Sequence, residues 1–140
     1  MSQSPETIMR TWFDEVWNHG REDTIDRLFA TDCIAHGLPG GPIDGPAAFR
    51  GIFTAFRGAF PDIHIDVERT ISTGDSVAAE VRVTGTHSGD TLGFAPTGQR
   101  VDFRGMTMAR IADGQVRECW NCFDFLTMYQ QLGVVNLPGN

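Results

Sequence analysis

The chain has 140 residues, 41% hydrophobic and 21% charged, enough for one globular domain (1–140) with its own core. Its formal charge is −7, and it contains no Lys, which argues against nucleic acid or an anionic membrane surface as a partner. No apolar run approaches the ~20 residues that cross a bilayer.

The first residues, MSQSPETIMR, lack the basic segment leading into an apolar stretch that marks a secretory leader. The three cysteines, Cys33, Cys119 and Cys122, are an odd set for a disulfide framework, so the expected compartment is the cytoplasm. Cys119 and Cys122 have the spacing of a redox pair. They fall within a strand pattern, away from any helix N-terminus that would stabilise a thiolate, so they are expected to be ordinary buried thiols.

In chain order, Ser4 is a good N-cap and Pro5 suits the first helical position. Ile8, Met9, Trp12, Phe13, Val16 and Trp17 recur at helical spacing until Gly20. A short second helix carries Ile25, Leu28 and Phe29 on one side, residues 33–36 read as a short strand, and residues 37–45 form a Gly- and Pro-rich loop. Pro46 opens a third helix with Phe49, Ile52, Phe53, Phe56 and Phe60 on one face, and Pro61 ends it.

The period then changes to two. Ile63, Ile65, Val67 and Ile71 alternate with polar residues, and after the Gly74-Asp75 turn so do Val77, Ala79, Val81 and Val83. A loop over 88–98 leads into Val101, Phe103, Thr107 and Ile111, and Asp113-Gly114 marks a hairpin. The last strand runs from 115 to about 124, followed by a short helix ending near Leu132. Three helices followed by a four-stranded antiparallel meander make an α+β fold, and long strands coil into a cup that helices cover.

Four histidines on four elements, with no metal-ligand spacing, give no metal site. The glycines of 40–45 match neither the dinucleotide fingerprint nor the P-loop, and there is no G-x-S-x-G. Carboxylates are better candidates. If Trp120 faces the cup, so does Asp124, and desolvation there would raise its pKa toward values useful for proton transfer. Asp124 equally suits the N-cap of the tail helix. His36, at the expected rim, is either a partner base or a partly buried histidine bonded to backbone, and His87 is a further candidate or a pin for its loop. Met106 and Met108 suit either a pocket lining or packing, and mixed polarity on both faces of the last two strands points to a homodimer.

Several strings are distinctive in this order: FPD at 60–62, VTGTHSG at 83–89, PTGQRVDFRG at 96–105, DGQVRECW at 113–120, and the ending from Asp124 to QLG at 131–133. With them the chain resembles the SnoaL-like polyketide cyclases of the NTF2-like superfamily. The resemblance implies a cone of N-terminal helices packed on a strongly curved antiparallel sheet. Its interior would bind a small hydrophobic, often polycyclic or terpenoid, substrate without metal or organic cofactor. It further implies an aspartate at the end of the last long strand as general acid/base in an intramolecular aldol closure, which by position is Asp124. His36 and His87 remain as candidates for the second polar group, with Trp17, Phe49, Phe53, Met106 and Trp120 holding the substrate. Relatives of this shape also include epoxide hydrolases, dehydratases, isomerases and proteins without known activity, so those reactions and a non-catalytic ligand-binding or dimerisation role stand as alternatives.

Overall fold

The computed structural model describes residues 3–139. Helix α1 (Pro5–Thr11) starts as its sequence dictates, with the Thr7 amide donating to the Ser4 hydroxyl at 3.2 Å and Pro5 in the first turn. The chain then widens into a π-helical segment, Trp12–Asn18, closed by the His19 amide on the Asp14 carbonyl. A single α-helix was the expectation for this stretch. The wider turn still buries Phe13, Val16 and Trp17 together, so the apolar spacing reads as helical while the hydrogen bonding does not.

Helix α2 (Glu22–Leu28) passes directly into strand β1 (Phe29–His36), so Phe29 opens a strand instead of closing a helix. The two-residue β2 (Ile43–Asp44) precedes helix α3 (Gly45–Ala59), which buries Phe49, Phe53, Phe56 and Ala59 along one face. The long strands follow: β3 (His64–Thr73), β4 (Ser76–Thr86), β5 (Arg100–Ala112) and β6 (Gln115–Phe123), then helix α4 (Phe125–Gln131). Among the described residues, no helix is long and apolar enough to cross a membrane.

The expected meander is present as β3–β6, but the sheet is larger and mixed. Its order is β2-β1-β6-β5-β4-β3, with β1 parallel to β6 and every other neighbour antiparallel. The short strand expected at 33–36 is the second half of β1; its first half is not marked by alternation, because the register slips between Phe29 and Ile34.

The strands alternate cleanly between an inner and an outer face. On β5, Val101, Phe103, Thr107, Ala109 and Ile111 are buried under the helices, while Arg104, Met106, Met108 and Arg110 face out. Directly paired residues share a face, so Cys119 and Asn121 point inward with Ala109 and Thr107, and Trp120 points outward with Met108. A second irregularity, between Val67 and Arg69 of β3, reverses the parity there. Ile71, expected on the buried face, is 72% exposed as a result.

Candidate functional site

The helices and the inner sheet face enclose a cavity of about 90 Å³. Its wall comes from every layer: Met9, Trp12, Phe13 and Trp17 from the N-terminal helical run, Phe49, Ile52 and Phe56 from α3, and Phe103, Ala109, Val116 and Phe123 from the sheet. Trp12 packs edge-on against Phe49 and stacks on Phe29, which makes this wall a continuous aromatic surface.

The wall is interrupted at one place, where β5 and β6 pair and contribute Thr107, Cys119 and Asn121. The Thr107 hydroxyl donates to Asn121 Oδ1 at 2.9 Å, and Asn121 Nδ2 donates to the His36 carbonyl at 2.9 Å. The same Nδ2 lies 3.7 Å from Cys119 Sγ. The side-chain amide is thereby fixed in orientation, with one N–H on the His36 carbonyl and the other directed at the sulfur. Gly37 holds this corner tight. Its φ is +83°, and a Cβ there would fall 1.9 Å from the Asn121 carbonyl oxygen.

Cys33 of β1 is buried behind Cys119. Its thiol is pushed up by the hydrogen bond it shares with Cys119 and by burial. The Cys119 thiol is held below the usual thiol range. Hydrogen bonding from Cys33, joined by the Asn121 amide, outweighs burial and the repulsion of Glu118. The two cysteines of the C-x-x-C string face opposite sides of the sheet, three residues apart in one strand. Cys119 looks into the cavity and Cys122 is exposed outside, which corrects the expectation of buried thiols for Cys122.

The residues singled out in the sequence fall in three places. Trp17 and Phe49 line the cavity, and Phe53 packs against Trp17 at a ring separation of 5.8 Å without lining it. Met106 and Trp120 line an open groove on the outer face and not the inner cavity where they were expected, because β6 presents its other parity to the helices. His36 is on that outer face too. Its Nε2 lies 2.7 Å from Glu118 Oε2 and its ring stacks on Trp120. Only its backbone carbonyl reaches the inner polar group, through Asn121.

His87 is fully buried between Phe60 and Phe94, and the Thr97 amide donates to its Nδ1 at 3.0 Å. Its own amide donates to the Gln99 carbonyl, so the side chain and backbone together pin the 88–98 loop. Asp124 is exposed and caps α4: its carboxylate accepts from the Thr127 hydroxyl at 2.6 Å and the Thr127 amide at 3.0 Å. These bonds, the hydroxyl's first, hold its pKa below the usual carboxylate range, where desolvation was expected to raise it. Among the described residues, no charged side chain lines the cavity.

Thr107, Cys119 and Asn121 are site residues the sequence pattern does not mark, because the aromatic Trp120 on the opposite parity is the stronger apolar signal. An Asn in mid-strand, where that residue type is depleted, was the available signal.

Comparison with known proteins places this geometry. Aklanonic acid methyl ester cyclase DnrD of Streptomyces peucetius is 30% identical over 122 residues, spanning 85% of this chain and 84% of that protein. The crystal structure of a Jannaschia Sp. CCS1 protein named for the SnoaL-like polyketide cyclases superposes with a TM-score of 0.84 at 25% identity, covering 94% of this chain and 93% of the other. Wild-type IdmH of Streptomyces antibioticus gives a TM-score of 0.81 at 32% identity, covering 94% of this chain and all of the other. The family model for SnoaL-like polyketide cyclases matches residues 7–132, and the chain belongs to that family.

Proposed function

We propose that this protein closes a ring on an apolar, carbonyl-bearing chain by intramolecular aldol addition. The observation that carries this reading is the single polar group, Thr107–Cys119–Asn121, set in an otherwise apolar wall. An aldol closure needs a donor for the oxygen on which enolate charge develops, in a site that excludes water. The Asn121 amide, oriented by Thr107 and the His36 carbonyl, is that donor. The proton that leaves the α-carbon returns to the new alkoxide. The reaction is thus a net isomerisation that calls for no oxidant, metal or organic cofactor. The aromatic wall supplies proximity by folding the chain on itself.

A void of about 90 Å³ is well below the roughly 300 Å³ typical of small-molecule sites, so the substrate must part the aromatic side chains as it enters. Trp12 and Trp17 stand in that wall and report the event. The similarity to DnrD makes aklanonic acid methyl ester the probe of choice. The expected outcome is a ring-closed product of unchanged mass, with a change in tryptophan fluorescence on binding. Probe recovered at the rate seen in buffer alone would overturn the reading.

The outer face supports a second element of the proposal, a homodimer. Ile71, Ala78, Met108, Trp120 and His36 form a row of paired residues across five strands. Met106 and Met108 there are 60% and 55% exposed. Arg and Glu are interspersed on the same face (Arg69, Glu80, Arg104, Arg110 and Glu118), so the surface can complement its own copy.

A further inference from the structure

We propose that Cys119, as its thiolate, is the base that removes the substrate's α-proton and the acid that returns it. The inference rests on the cyclase reading and names the proton carrier that reading requires. Among the described residues lining the cavity, Cys119 is the only titratable side chain. The carboxylate and imidazoles first considered lie elsewhere: Asp124 caps α4, His36 faces outward and His87 pins a loop.

The surroundings of the sulfur fit the task. Asn121 Nδ2 stands 3.7 Å from the sulfur on the same strand, and the buried Cys33 lies on the neighbouring strand β1. A donor aimed at the sulfur favours its anion, and the shift of Cys119 below the ordinary thiol range, with Cys33 and Asn121 as its causes, agrees with that geometry. The charge that opposes ionisation is Glu118, its neighbour in β6. Strand β5 faces it with Ala109 and Thr107, and α3 contributes only apolar side chains to the cavity.

The step balances without a co-reactant. The Cys119 thiolate takes the α-hydrogen as a proton, and the C–H pair becomes the enolate, whose oxygen meets the Asn121 amide. The enolate carbon bonds to the second carbonyl carbon, whose π pair moves to oxygen as an alkoxide. That alkoxide takes the proton from the Cys119 thiol, and the thiolate is restored.

Two measurements on the whole chain test this. The first is alkylation of Cys119 by iodoacetamide against pH, followed by mass spectrometry in a Cys122→Ser background. Its midpoint is expected below the ~8.5 of a free thiol and is expected to rise in Cys33→Ala. A midpoint at or above 8.5, or one that Cys33→Ala does not move, overturns the proposal.

The second is closure of aklanonic acid methyl ester by Cys119→Ser and, as a control on the outer face, Cys122→Ser. Cys119→Ser is expected to lose about 100-fold or more in kcat, with KM within a few-fold and the alkaline rise of the rate profile abolished. Cys122→Ser is expected to match the wild type. Closure by wild type and Cys119→Ser at equal rates overturns the Cys119 assignment and leaves the cyclase reading standing. Absence of closure by the wild type removes both.

Discussion

At the residue scale, the proposed ring closure depends on one amide. Asn121 is fixed in plane by the Thr107 hydroxyl and the His36 carbonyl, and in the proposed step its second N–H passes from Cys119 Sγ to the developing oxyanion once the sulfur has taken the proton. Asn121→Leu preserves most of the volume and removes the donor. It is expected to lower kcat by about 10²–10³ with a smaller change in KM, as for other oxyanion donors; stopped-time assays at saturating probe check this. The pH profile follows from Cys119. Because its pKa is lowered, the rate is expected to climb as pH rises through a value below the ordinary thiol range, then level off.

Asp124 has a different expected signature. Its carboxylate accepts from both Thr127 donors as a helix cap. Asp124→Ala is expected to cost about 0.5–2 kcal/mol by chemical denaturation, and Asp124→Asn a few tenths, since Asn caps equally well. The sign of the pH effect is set by the lowered pKa. The charged cap stabilises above the unfolded carboxylate pKa, and its contribution fades as pH falls through the lower folded value.

At the element scale, the site is where three strands meet. Parallel pairing of β1 with β6 brings Cys33 and the His36 carbonyl against Cys119 and Asn121. The turn leaving β1 must then pass close to Asn121, which only a residue without Cβ and tolerant of positive φ allows at position 37. Gly37→Ala is expected to destabilise by at least about 1–3 kcal/mol and to disturb closure of the probe, measured by thermal melts alongside activity. If Gly37→Ala melts with the wild type, this close approach does not govern the fold.

The long β3–β6 meander and the apolar faces of α1 and α3 were legible in the sequence, because strict alternation and helical spacing survive without tertiary information. The first half of strand β1 and the position of Ile71 were not, because register slips at Phe29/Ile34 and Val67/Arg69 break the period that carries the signal. For β6 the side carrying Trp120 was expected to face the helices, and it faces out. An aromatic and an amide sit one residue apart, and alternation alone does not say which faces the helices.

At the scale of the whole molecule, the two faces of one sheet divide the work. The inner face is apolar with one polar group, and the outer face carries a methionine- and tryptophan-bearing row flanked by charges of both signs. Pairing of two copies across that row leaves both cavities on the outer sides of the dimer, so association and catalysis are separable. Met108→Glu places a charge in the row's centre. It is expected to convert a dimer to monomer by sedimentation velocity, with the melting curve little changed. A wild type that sediments as a monomer at micromolar concentration removes the dimer.

The central claim is that the Thr107–Cys119–Asn121 corner of the cavity performs ring closure. The most direct test is the single-turnover rate of aklanonic acid methyl ester closure by the wild type and by Asn121→Leu, at matched fold and saturating probe. Closure by the wild type and a rate about 10²–10³ lower in the variant are expected. Equal rates in the two proteins would contradict it.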